Sequence, residues 1–237
     1  MQYIFETPLV IGYGRLGKEL VAQTRWNYIS RDKNNFDFRK IETYSHLLTG
    51  YNTIINCIAN TNTYSDDKKG HIEINFNAVC DLVNFCNLTN KKLIHISTDQ
   101  VYAGSEKPAS ETDVPVIART WYAYSKLLAD DYIETYCNKY LIFRTSFKPF
   151  PFKYPFAITS QIGNFDYINR IALLMIKLIN KNATGIYNVG HNKPWTIYDM
   201  ALETNPNVVK SDKMLHQNMP TSVIMDVNKM ERFLNEN

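Results

Sequence analysis

Long apolar runs are missing from this chain: none reaches the roughly 20 residues needed to cross a bilayer. Nor does the N-terminus carry a basic region followed by an apolar stretch and a cleavage site. The expectation is a soluble, cytoplasmic protein with no membrane partner. Blocks of like charge are missing too, since 26 basic and 23 acidic residues leave a net charge of +3 spread along the chain. Without a basic footprint, nucleic acid is not an expected partner. Cysteine is scarce, and Cys57, Cys80, Cys86 and Cys137 show no close C-x-x-C spacing. Buried free thiols are expected there, not a metal site or a disulfide framework. Core material is plentiful, because 45% of the 237 residues are hydrophobic, enough for one large domain or two intimately joined ones.

That material is arranged as short apolar runs without polar alternation. Pro8–Gly12, Trp26–Ser30, Thr53–Ala59, Lys92–Ser97, Tyr140–Arg144 and Gly185–Val189 read as strands. Between them lie helix-like stretches at Gly17–Gln23, at Asn75–Cys86 and from about Phe165 to Ile179. In the second of these, Phe76, Val79, Leu82, Val83 and Cys86 recur with a 3.6-residue period. Runs buried on both faces and separated by helices imply an α/β fold, a parallel sheet covered on both sides. After residue 146 the texture changes: Pro149, Pro151 and Pro155 among Phe and Tyr residues predict a loop with exposed aromatic character.

Gly12-Tyr13-Gly14-Arg15-Leu16-Gly17 is a G-x-G-x-x-G turn that follows a predicted strand and opens a predicted helix. In that setting glycines let the backbone approach a pyrophosphate at a helix N-terminus, where free N–H groups favour anions. Past the second strand stand Ser30, Arg31 and Asp32. Arg31 with the Ser30 hydroxyl fits the 2′-phosphate of NADPH, whereas Asp32 fits the ribose hydroxyl of NADH. NADPH is the favoured reading, and a solvated loop whose Arg and Asp pair is the plain alternative.

Tyr122 and Lys126 lie four residues apart, on one face if the segment is helical. An ammonium beside a phenol favours the ionised form, so such a tyrosine can pass a proton near neutral pH. An amphipathic surface helix with a snorkelling lysine has the same spacing.

The ordered series of these motifs resembles the extended short-chain dehydrogenase/reductases, and most closely their dTDP-4-dehydrorhamnose reductase branch. Besides the glycine turn it includes Phe36-Asp-Phe38, Asn56-Cys-Ile-Ala59, Asn75, Lys92 to Tyr102, Trp121 to Lys126, Leu141 to Phe147, Gly185 to Gly190 and Met225 to Met230. The resemblance implies a Rossmann domain over 1–146, completed by about 164–190. A small, abbreviated substrate-binding part would come from 147–163 and 191–237.

It also implies Thr98, Tyr122 and Lys126 as the catalytic set, with Thr98 and Tyr122 polarising a carbonyl and Lys126 lowering the phenol pKa and holding the nicotinamide ribose. Asp37 and Phe38 would lie near adenine, while Cys57, Ile58, Ala59 and Asn60 would line the cofactor cleft. Thr98, Asp99, Gln100 and Phe147 would face the substrate, and His95 would be a packed strand residue. The implied activity is NAD(P)H-dependent reduction of a nucleotide-linked 4-keto-6-deoxy sugar, with a homodimer as the common default. Two rivals share the motifs: a non-catalytic NADP-binding subunit like the regulatory subunit of methionine adenosyltransferase, and a nucleotide-sugar epimerase or dehydratase. The chain departs from the branch at Phe147, where Trp is usual, at Asn60 and Gln100, and in lacking a helical segment after Phe147.

Overall fold

Side chains along a strand point alternately to opposite faces, and in this chain both faces are apolar. In β1 (Leu9–Ile11), β3 (Thr53–Asn56), β4 (Lys92–Ile96) and β5 (Tyr140–Thr145), the residues Val10, Ile55, Ile94 and Leu141 join one core. Leu9, Ile11, Ile54, Leu93 and Ile142 join another on the opposite face. With β2 (Tyr28–Ile29) and β6 (Gly185–Val189) these strands form a six-stranded parallel sheet in the order β6-β5-β4-β3-β1-β2. The structure is a computed structural model that describes residues 7–105, 107–113, 119–214 and 216–236.

Helices cover both faces. Leu16 and Leu20 of α1 (Arg15–Thr24) and Ile171, Met175 and Leu178 of α4 (Ile168–Asn180) pack on the Val10 face. Val79, Leu82 and Cys86 of α2 (Ala78–Leu88) and Ala129 and Ile133 of α3 (Trp121–Tyr136) pack on the other. A last helix, α5 (Asn228–Asn235), puts Met230 against the first core. This is the expected doubly wound α/β arrangement. Its strand order reverses beside β1, so a crevice opens beyond the carboxyl ends of β1 and β3, where such sheets bind ligands.

Three elements differ from expectation. The helix expected from Asn75 begins instead as a π turn over Glu73–Asn77. The helix expected from Phe165 starts at Ile168, because Asp166–Tyr167 pairs with Phe147–Lys148. The proline-rich stretch also contributes strand: Phe156–Ile158 pairs with Val209–Ser211, and Ile162–Gly163 lies between Trp195–Thr196 and Ser222–Val223. These pieces enclose a third core of Phe152, Ile158, Phe165, Tyr167, Met200 and Val223, while Phe150, Tyr154 and Phe156 are exposed as expected. The four cysteines are free, with Cys86 and Cys137 buried. Among the described residues no helix is long and apolar enough to cross a membrane.

Candidate active site

The three glycines of the turn after β1 do three different things. Gly12 has φ +94°, a left-handed conformation open to glycine. Gly17 lies so close that an added Cβ would stand 2.0 Å from the Gly12 carbonyl oxygen, which lets α1 press against the turn. At Gly14 an added Cβ would meet nothing within 4 Å. Gly14 is the N-cap of α1 and supplies no side-chain cap to the first amides. With Arg15 and Leu16 it borders a cavity of about 850 Å³. Uncapped amides with open space above them fit the pyrophosphate of a dinucleotide.

The same cavity is bordered by Cys57, Ile58 and Ala59 after β3. Asn60 lies just outside it, pinned through its backbone: Asn75 Oδ1 accepts the Asn60 N–H at 2.7 Å, and Asn75 Nδ2 donates to the Asn60 carbonyl at 3.1 Å and to Ser125 Oγ at 3.0 Å. The sequence assigned Asn75 no role. The signal was a polar residue inside an apolar helical period, at a π turn of the kind that gathers at functional sites.

Other cofactor candidates lie away from this cavity. Tyr13 stacks on Tyr28 with ring centroids 3.8 Å apart. Ser30 caps the short helix Arg31–Asn34 by accepting the Lys33 N–H, and Arg31 is exposed. Asp37 caps the next turn and pairs with Arg39 at 2.8 Å, whose hydrogen bonds hold its carboxyl near 2. Phe38 is packed in the core with Ile29 and Leu48.

Beyond β4 the backbone turns under Thr98, whose hydroxyl accepts the Gln100 N–H at 3.2 Å. Thr98, Asp99 and Gln100 all border the cavity. Asp99 is 3% exposed, and burial pushes its carboxyl up to about 7 against the pull of Lys148 and hydrogen bonds from Thr98 and Ser146. Phe147, Lys148, Phe152 and Phe165 close the cavity from the smaller lobe. Lys148 was not singled out in the sequence, since nothing in its Pro/Phe-rich surroundings marks it.

Helix α3 starts where Thr120 accepts the Ala123 N–H at 3.1 Å, which places Tyr122 in its first turn at the cavity. Lys126 follows one turn inward, 1% exposed. The expectation is that its nitrogen sits beside the phenol, but the hydrogen bonds of that nitrogen run elsewhere. Lys126 Nζ instead lies 2.7 Å from His95 Nε2 and donates to the Ile96 carbonyl at 2.6 Å. Burial lowers Lys126 to about 8, and burial pushes Tyr122 up to about 12, with Thr98 pulling the other way. Thr98 has one proton to give, and Asp99 Oδ1 at 3.3 Å competes with Tyr122 for it. His95 is fully buried on its strand, as expected, but its ring faces Lys126.

Among solved structures, the chain is similar to a dTDP-4-dehydrorhamnose reductase from Clostridium acetobutylicum, at 18% identity and a TM-score of 0.82, covering 95% of this chain and 92% of that one. It is similar to the Bacillus anthracis dTDP-4-dehydrorhamnose reductase solved with NADP, at 21% identity and a TM-score of 0.82 over 96% and 92% of the two chains. It is also similar to the Thermus thermophilus UDP-glucose 4-epimerase solved with NAD, at 14% identity and a TM-score of 0.78 over 95% and 92%. These likenesses show the shared fold. A human dTDP-D-glucose 4,6-dehydratase is 26% identical over 48% of this chain, and the matched segment spans 39% of that protein's length. The family model described as RmlD substrate binding domain matches residues 9–147, from the first strand of the sheet to the edge of the smaller lobe. More than half of the sequence lies within that match, so the chain belongs to the RmlD substrate binding domain family.

Proposed function

We propose that the protein is an NAD(P)H-dependent reductase of a nucleotide-linked 4-keto-6-deoxy sugar. One observation carries this reading: the uncapped N-terminus of α1, Thr98 and Tyr122 all border a single cavity, with Lys126 buried one turn behind Tyr122. A nicotinamide cofactor supplies the hydride when bound. The amides of Gly14, Arg15 and Leu16 would hold its pyrophosphate, and Cys57, Ile58 and Ala59 would form the opposite wall. Thr98 and Tyr122 would hydrogen-bond the substrate carbonyl oxygen, and Tyr122 would give its proton to the alkoxide that forms. Phe147 and Gln100 offer a ring and an amide to the sugar, and the cofactor preference we favour is NADPH.

The test is to incubate the protein with NADPH and a panel of nucleotide-linked 4-keto-6-deoxyhexoses, following the absorbance of the reduced cofactor. Stoichiometric oxidation with formation of the 4-hydroxy sugar is the expected result. Tight cofactor binding without oxidation on any member of the panel would overturn the reading in favour of a regulatory subunit. Sugar conversion without net oxidation would overturn it in favour of an epimerase or dehydratase.

A further inference from the structure

His95 and Asn56 form a buried chain that ends on Lys126, and hydrogen-bond direction along that chain has a chemical consequence. Asn56 is 1% exposed and His95 is fully buried. Asn56 Oδ1 accepts the backbone N–H of Ile58 at 3.0 Å. The amide is thereby oriented, because turning it over would set its NH2 against that N–H. Asn56 Nδ2 then faces His95 Nδ1 at 3.2 Å and can only donate to it. A neutral imidazole that accepts at Nδ1 carries its proton on Nε2. Nε2 lies 2.7 Å from Lys126 Nζ, and an ammonium has no lone pair with which to accept that proton.

We infer that Asn56 fixes His95 as the Nε2–H tautomer, and that His95 in turn favours the neutral amine form of Lys126 over the ammonium, making His95 a positioning residue for the proposed reaction. The amine accepts from His95 and still donates to the Ile96 carbonyl. The groups facing Lys126 from the neighbouring elements do not reverse this. Cys57, after β3, is a thiol that burial keeps protonated, pushed up to about 12. Asp130, one turn along α3, favours the ammonium; its Oδ2 is taken by Ser97 and by Arg144 of β5, and its Oδ1, without a hydrogen-bond partner among the described residues, makes no contact with Lys126. Burial lowers the Lys126 titration to about 8, in the same direction as the geometry, and below that pH the ammonium predominates.

The functional consequence rests on the reading of Tyr122 as proton donor. After Tyr122 has given its proton it is a phenolate, and only the ammonium form of Lys126 stabilises it. To become the ammonium Lys126 must take a separate proton from solvent, which forces His95 to surrender Nε2–H and Asn56 to reorient. The relay therefore opposes the active form, and turnover should fall as pH rises past the Lys126 titration.

Long-range proton–nitrogen correlation of the five histidines, with His95 assigned by its loss in His95→Gln, reads the tautomer of the wild-type protein directly. A bare Nδ1 and a protonated Nε2 are expected; a protonated Nδ1 overturns the inference. Asn56→Asp keeps the shape but offers an acceptor to Nδ1. It should invert the tautomer and raise the Lys126 midpoint, followed by carbon-13 at its ε position, by about 1 to 3 pH units. An unmoved or lowered midpoint overturns the inference as well. If Asn56→Asp does not fold, the wild-type spectrum decides alone. These readouts need no turnover, so a protein with the expected tautomer and no carbonyl reduction keeps the relay and removes only the reductase reading.

Discussion

Asp130 and Lys126 lie one turn apart on α3 and both are out of water, yet their surroundings differ. Asp130 accepts from the Ser97 hydroxyl at 2.8 Å and from Arg144 Nε at 3.0 Å. Arg144 goes on to the Tyr102 hydroxyl at 2.6 Å, and Tyr102 to Asn188 Oδ1 at 3.0 Å. That network ties α3 to the residue just past β4, to β5 and to β6, with opposite charges in contact. Among the described residues Lys126 has no carboxylate in contact, only an imidazole and a carbonyl. Burial raises the Asp130 carboxyl and its Oδ1 has no hydrogen-bond partner among the described residues, but the Arg144 charge in contact opposes that shift, whereas the buried Lys126 amine has no counter-charge in contact to oppose its own. Displaced titrations of that kind gather where proton chemistry is done.

Two substitutions of similar shape should split this contrast most widely. Arg144→Met strands Asp130 in the core and should cost about 3 to 5 kcal/mol of stability, read from denaturant unfolding. Lys126→Met leaves the His95 Nε2–H and the Ile96 carbonyl unfilled but removes a buried amine, so the expected loss is smaller, about 1 kcal/mol. In the proposed reaction Lys126→Met should lower turnover by about 10² to 10⁴ fold, the scale of lost acid–base assistance. Equal stability losses in the two variants would erase the distinction.

Asp99 is an intermediate case, buried with Lys148 as a partial counter-charge. Burial raises its folded titration from 3.8 to about 7, so the folded protein binds a proton that the unfolded chain releases. Its penalty is absent below pH 3.8, grows between 3.8 and about 7, and is full above that. At about 1.4 kcal/mol per pH unit, the loss across the window is at most about 4 kcal/mol. Asp99→Asn should therefore stabilise the protein at pH 8 and leave it unchanged at pH 3.5. A gain that is the same at both values would show that Asp99 is already ionised freely in the fold.

The glycines repeat the contrast without charge. Gly17→Ala would drive a methyl to 2.0 Å from the Gly12 carbonyl oxygen and should destabilise by about 1 to 3 kcal/mol. Gly14→Ala meets nothing, so melting should be unaffected while dinucleotide affinity, followed by fluorescence titration, falls. If Gly14→Ala binds the dinucleotide as the wild type does, the open space above α1 is not where the pyrophosphate lies.

Those glycines were legible in the sequence because spacing and context state their job. The sheet was legible for a similar reason, since runs such as Leu9-Val10-Ile11 and Leu93-Ile94 have no polar face to expose. The smaller lobe was not, because its strands of two or three residues pair across gaps such as Phe156 to Val209 and show no period. At the site, spacing placed Tyr122 and Lys126 on one helix. It could not say that the Lys126 nitrogen turns to His95, because strand periodicity assigns a residue to a face and not to a partner.

Arg31 carries the same distinction to the surface, where the expected effect is smallest. It is exposed, and among the described residues no ion pair engages it, Asp32 included. Ser30, just before it, uses its oxygen to cap Lys33 at 3.2 Å and keeps a proton to donate. A cation and a hydroxyl at the end of β2 suit the 2′-phosphate that distinguishes NADPH from NADH. Exposed charge contacts are worth about 0.2 to 1 kcal/mol, so Arg31→Ala should raise the KM for NADPH by at most about five-fold and leave that for NADH alone. Salt should shrink the difference, since charges in water are screened over about 10 Å at 0.1 M. If both cofactors weaken together, Arg31 serves the fold of its loop; if NADH is preferred from the start, Asp32 is the ribose reader and Arg31 is a solvated cation.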